Sequence, residues 1–135
     1  MLVTPDGGLL LQLRDDKPDL LWANHWTLFG GSVEPGEPPV TAVARELVEE
    51  LELSLPLSLW HRFPCPYRSQ PGELVCMHYA YWGVLDVPLE TLVLHEGQRF
   101  GVFTPDEAAA MTLAFNQQEV VRDFIATGIA KPATL

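Results

Sequence analysis

Basic side chains are scarce: 8 Lys and Arg stand against 18 Asp and Glu, giving a formal net charge of −10. That balance opposes binding to polymeric nucleic acid, which depends on lysine and arginine neutralising phosphates. Cysteine is scarcer still. Cys65 and Cys76 are too few and too far apart for a zinc site, and the four histidines do not gather around them at ligand spacing. Reduced thiols are expected. No apolar run approaches the roughly 18 residues of a membrane span, so no membrane partner is expected. The opening MLVTPDGGLLLQLR has neither a basic region ahead of its apolar stretch nor a small-residue cleavage site. It therefore carries no secretory signal, and the cytoplasm is the expected location. Internal repeats and low-complexity tracts are absent. So is a Gly-x-Ser-x-Gly element, and His25, His61, His78 and His95 lack the partners of a nucleophilic triad.

What remains is a chain of 135 residues, 47% hydrophobic and 10% aromatic, with no linker-like shift in composition. Residues 1–135 read as a single domain with a packed core. Leu9 to Leu13 is expected as a strand after the turn Asp6-Gly7-Gly8, then Asp15 to Asn24 as a loop and Trp26 to Phe29 as a short strand. A helix should run from about Pro38 to Leu51, because proline suits a first turn. Val40, Val43, Ala44, Leu47 and Leu51 form an apolar arc expected to pack on a sheet. Ser58 to Phe63 reads as a strand, Pro64 to Gly72 as a loop, and Leu74 to Leu85 as a central strand apolar on both faces. Arg99 to Phe103 gives another strand. Thr104-Pro105-Asp106-Glu107 combines an N-cap, a first-turn proline and a capping-box glutamate. Asn116 with Glu119 reads as a second capping arrangement, before a helix with Val120, Val121, Phe124 and Ile125 on one stripe that Gly128 ends. Strands mixed with helices predict a layered α/β/α sandwich with a mixed sheet.

The chemistry concentrates in residues 31–53, GSVEPGEPPVTAVARELVEELEL. Glu46, Glu49 and Glu50 occupy i, i+3 and i+4 of the expected helix, so their side chains meet on one face. Runs of acids on helices usually mark a solvated face, and spacing alone would leave that reading standing. Here Glu52 adds another acid, and the cluster falls late in the helix, where the macrodipole disfavours anions. A hard divalent cation with oxygen ligands would offset that repulsion.

The rest of the segment resembles the box of the Nudix hydrolases, G-x5-E-x7-R-E-U-x-E-E-x-G-U with U aliphatic. Gly31, Glu37, Arg45, Glu46, Leu47, Glu49, Glu50 and Leu53 match, eight of the nine specified positions. Glu52 stands where the pattern has glycine, which puts the turn after the helix in question rather than the chemistry. The resemblance extends from about Leu9 to Ile125 and implies the Nudix α/β/α sandwich. Such a fold usually opens with a strand that begins earlier than Met1 permits, so a shortened edge is expected. It implies attack of a metal-activated water on the diphosphate linkage of a nucleoside diphosphate derivative, with Mg²⁺ or Mn²⁺ as cofactor. It assigns metal ligation to Glu46, Glu49, Glu50 and the carbonyl of Gly30. Arg45 orients a carboxylate, Glu37 ties loop to helix, and Gly31 permits close backbone approach.

Outside the box, His95-Glu96-Gly97-Gln98 resembles a Glu-Gly-Gln segment of MutT-like members, which makes Glu96 a further ligand or the base. Glu46 is the favoured base, Glu96 the next, and Glu50 shares the catalytic cluster. Arg14 stands where similar enzymes hold a phosphate. Asn116 resembles in position an asparagine that reads the base, although its capping role explains it without any ligand. Trp22, Trp26, Phe29, Tyr79 and Tyr81 could stack on a nucleobase or could be core. The box sets the reaction and not the nucleotide. Many relatives pair as homodimers, which leaves that state open here. The rival reading is a catalytically inactive Nudix-fold module that binds a nucleotide or a protein.

Overall fold

The computed structural model describes residues 1–64 and 77–130. Six strands form one mixed sheet: β1 (Leu2–Val3), β2 (Leu9–Leu13), β3 (Trp26–Thr27), β4 (Ser58–Pro64), β5 (Met77–Val84) and β6 (Arg99–Phe103). Among the described residues three α-helices accompany them: α1 (Pro39–Leu51), α2 (Pro105–Ala110) and α3 (Gln118–Ala126). The expected residues 65–72 of the loop and 74–76 of the following strand lie outside the described residues.

β2 organises the sheet. It pairs antiparallel with β6 along its whole length, while β1 takes Leu9 and Leu10 on its other edge and β3 takes Gln12 and Leu13. β1 then runs parallel to β5, and β5 antiparallel to β4. All five residues of β2 are buried, whereas β5 is exposed or half-buried at every position but Gly83. The central buried strand is therefore β2. The expectation for β5 holds only in that it has neighbours on both edges. Nor is the short first strand an edge, because Leu2 and Val3 are buried between β2 and β5.

Pleat alternation splits β2 between two cores. Leu9 and Leu11 pack with Leu113, Val121 and Phe124 on the α2–α3 side, and Leu10 packs with Leu47, Leu51 and Leu85 on the α1 side. This is the layered α/β/α arrangement expected. The capping box at α2 is present in both directions, with the Glu107 N–H donating to Thr104 Oγ1 at 3.2 Å and the Thr104 N–H to Glu107 at 2.8 Å.

α1 differs from the expected arc. Ala42, Leu47, Glu50 and Leu51 are buried, while Val40 is 48% exposed and Ala44 is exposed too. The buried face leans toward the acids because Leu47, Glu50 and Leu51, at i, i+3 and i+4, face the sheet together. Asn116 is corrected as well. It follows Phe115 in a short 3-10 turn, both residues have positive φ (56° and 57°), and α3 starts after Gln117 without a side-chain cap. An asparagine committed to that left-handed turn cannot take the extended backbone of an N-cap.

α1 ends on Glu52, at φ 52° and ψ 38°, with its N–H on Val48 O and the Leu53 N–H on Leu47 O. A residue with a Cβ pays about 1–2 kcal/mol to sit there. The glycine-type turn is thus kept despite the substitution.

Candidate active site

α1 presents its three acids to three different surroundings. Glu50 is only 5% exposed, and its Oε2 accepts the Gly30 N–H at 3.1 Å. Burial pushes its pKa up to about 8, against the stabilising Gly30 N–H, and the Glu96 and Glu46 carboxylates raise it further. Glu46 packs against Gly31, where an added Cβ would lie 2.3 Å from its Oε1. Glu49 is mostly exposed.

Arg45 is the hub beside them. Its Nε and Nη2 reach both oxygens of Glu37, at 2.9 and 3.0 Å, a two-pronged contact that suits a planar guanidinium. Nη1 lies 3.0 Å from Glu46 and 3.4 Å from Glu49, and Nη2 also donates to Ser32 O at 3.1 Å. Those bonds hold the Glu37 carboxyl down to about 2, with the Glu34 N–H assisting, and raise the guanidinium further above its usual range. One side chain thus connects the loop before α1 to two of its acids.

The fourth acid arrives from another part of the chain. Glu96 lies in the loop before β6, and its carbonyl accepts Gln12 Nε2, a buried side chain of β2, at 2.6 Å. Glu50 and Glu96 meet at one wall of a cavity of about 670 Å³, which Gly30, Phe29 and Arg14 also line. Arg14 donates to Leu21 O at 3.1 Å and lies over the Phe115 ring, 5.1 Å from its centre. Tyr79 and Tyr81 line the same cavity, whereas Trp22 and Trp26 do not. Trp26 instead stacks edge-on against Phe103 at 4.8 Å.

Asn116 does not reach the cavity; its neighbours Phe115 and Gln117 do. Gln117 was not singled out by the sequence. Its Oε1 accepts the Thr27 hydroxyl and the Leu28 N–H, each at 2.9 Å. Those two contacts fix the oxygen end of the amide and leave its NH₂ as the donor end. Only a contact across some 90 positions reveals this role, and no local spacing signals it.

The donors available to a cation are all oxygens, the set that hard divalent ions take. Among the described residues, no three acidic, imidazole or thiol groups already stand in a metal-holding arrangement. Arg45 holds Glu46 and Glu49, so a cation competes with that guanidinium for them. The raised pKa of Glu50 marks a buried carboxylate short of positive charge, and in that respect the residues fit the ion.

The NUDIX domain profile matches residues 1–124. The chain belongs to the Nudix family. It is 32% identical over 132 residues to the CTP pyrophosphohydrolase of Escherichia coli (strain K12), covering 98% of this chain and 93% of that protein. The MutT protein of Methanosarcina mazei Go1 shares the fold with a TM-score of 0.76 at 19% identity, covering 96% of this chain and 91% of that one. The E. coli ORF135 protein superposes with a TM-score of 0.69 at 27% identity, over 98% and 91% of the two chains. This Nudix chain is accordingly a pyrophosphohydrolase, and the inactive-module alternative is not favoured. No helix among the described residues is long and apolar enough to cross a membrane.

Proposed function

We propose that this Nudix enzyme hydrolyses a nucleoside triphosphate to the monophosphate and pyrophosphate, using Mg²⁺ or Mn²⁺ held by Glu46, Glu49, Glu50, Glu96 and the Gly30 carbonyl. The observation that carries the reading is Glu50: a carboxyl pushed up to about 8 by burial, with two more carboxylates adding to the push, at the wall of a nucleotide-sized cavity. Nudix hydrolases generally use divalent metals. A bound divalent ion would offset the diphosphate charge and acidify the attacking water.

The chain's own residues supply the rest. Glu46 accepts the proton of the attacking water, with Glu96 the other base within the cluster. Arg45, tied to Glu37 and Ser32 O, limits where the Glu46 carboxylate can turn. Arg14, which lines the same cavity, supports the leaving phosphates. Phe29, Tyr79 and Tyr81 offer faces for a nucleobase, and the Gln117 amide offers donors to an acceptor on its edge. Cytosine presents such acceptors, and the relative acting on CTP makes that nucleotide the first to test.

The test is product release from a panel of nucleoside triphosphates, sugar nucleotides, ADP-ribose and dinucleoside polyphosphates, with Mg²⁺, Mn²⁺ or EDTA. CTP or a close analogue should be turned over fastest, and EDTA should abolish the reaction. Glu50→Gln should lower kcat by about 100-fold or more while the protein stays folded. Turnover in EDTA, or near-normal turnover by that variant, would contradict the metal assignment.

A further inference from the structure

We propose that Glu52 is a positioning residue whose side chain, through His95, holds Glu96 against Glu50. The inference rests on reading Glu50 and Glu96 as parts of one site. Glu52 occupies the left-handed position where the Nudix pattern has glycine, and its Oε2 lies 2.9 Å from His95 Nε2. Glycine would be easier on the backbone there but could make no such contact. The side chain therefore brings something that the preferred residue cannot.

The loop it reaches is suspended between α1 and β2. At the α1 end, the Val93 N–H donates to Leu51 O at 3.3 Å and the His95 N–H to Glu50 O at 2.9 Å, so the loop satisfies carbonyls that the helix end leaves open. At the β2 end, Gln12 Nε2 binds Glu96 O, and the Gln98 N–H binds Leu13 O at 2.9 Å. Gly97, at φ 85°, allows the close approach between them, since a Cβ there would lie 2.7 Å from Leu13 O. Glu50 thus faces this loop twice, through its carbonyl to His95 and through its carboxylate toward Glu96. These anchors hold the backbone on either side of the Glu96 side chain, and the Glu52–His95 contact adds a side-chain tie at the residue next to it. Both partners are about half exposed, at 55% and 50%, so the contact is a weak strut and not a pillar of stability.

Replacing Glu52 should therefore separate stability from activity. Glu52→Gly should melt at a higher temperature than the parent, because the left-handed strain is relieved. Its kcat should nevertheless fall by about two- to fivefold, the scale of an exposed ion pair, with KM unchanged. Hydrogen exchange at the amides of His95, Glu96 and Gly97 should quicken in the same variant. Glu52→Gln, whose amide can still bond to His95, should restore most of both, and His95→Ala should copy the glycine variant in kcat and exchange. If Glu52→Gly keeps parental kcat and parental exchange across 95–97, the proposal is wrong. It is equally wrong if kcat and melting temperature fall together. Exchange is read without any nucleotide, so quickened exchange in Glu52→Gly, with a parent protein that hydrolyses none of the panel, would sink the functional reading and leave the strut standing.

Discussion

Glu50 carries opposed demands: it lies in the buried face of α1, where its carboxyl accepts the Gly30 N–H yet faces the carboxylates of Glu96 and Glu46. Its pKa rises from about 4.5 to about 8 on folding. Between those values the Glu50 carboxyl holds a proton in the folded protein that the unfolded chain has released, so its contribution to stability is fullest below pH 4.5 and falls as pH rises toward 8. The melting temperature of the metal-free parent should decline across that window relative to Glu50→Gln, a comparison that cancels the buried Met1 amine, whose pKa is lowered to about 5 and which acts in the opposite direction. A parent–variant difference that stayed level from pH 5 to 8 would show that Glu50 titrates normally. The neighbouring acids could be found in the sequence, but their individual states could not. The i, i+3, i+4 spacing places all three on one side of the helix, whereas which of them turns inward depends on Leu47 and Leu51 docking against Leu10 and Leu85. Those partners lie far away in the chain. The exposed Glu49 and the buried Glu50 are adjacent letters with opposite surroundings.

Two elements converge to form the site, the turn into α1 and the loop before β6. At the first, Gly31 matters for space: an added Cβ would run into the Glu46 carboxylate, the flexible end of a side chain. Gly31→Ala should therefore fold with little change in melting temperature, because that carboxylate can swing away. In swinging it leaves the place where Arg45 holds it, and kcat should drop by about tenfold or more. Parental kcat in that variant would mean that the position of Glu46 is not critical. Elements with strong local signals were legible: the helix start expected near Pro38, which caps α1 one residue before its first turn, the Thr104–Glu107 capping box, and the apolar run of β2. Asn116 misled because an asparagine three residues before a glutamate has the form of a helix start, while Phe115 and Asn116 both turn left-handed instead. β1 has two residues and no periodicity to read; its place inside the sheet comes from pairing with β2 and β5.

At the scale of the whole molecule, a chain of net charge −10 binds a polyanion only if positive charge is concentrated where the phosphates go. Arg45 is occupied by Glu37 and the acids of α1, which leaves Arg14 as the guanidinium lining the cavity among the described residues. A divalent cation would supply the charge that the side chains lack, and it would let Glu50 shed its proton. The most direct measurement is calorimetric titration of Mn²⁺ into the metal-free enzyme at pH 7, repeated in buffers of different ionisation enthalpy to count protons released. The account predicts binding with a net release of close to one proton, and loss of that release together with much of the affinity in Glu50→Gln. Binding without proton release, unchanged in Glu50→Gln, would show that the cation is held elsewhere and would contradict the assignment of Glu50 to the metal site.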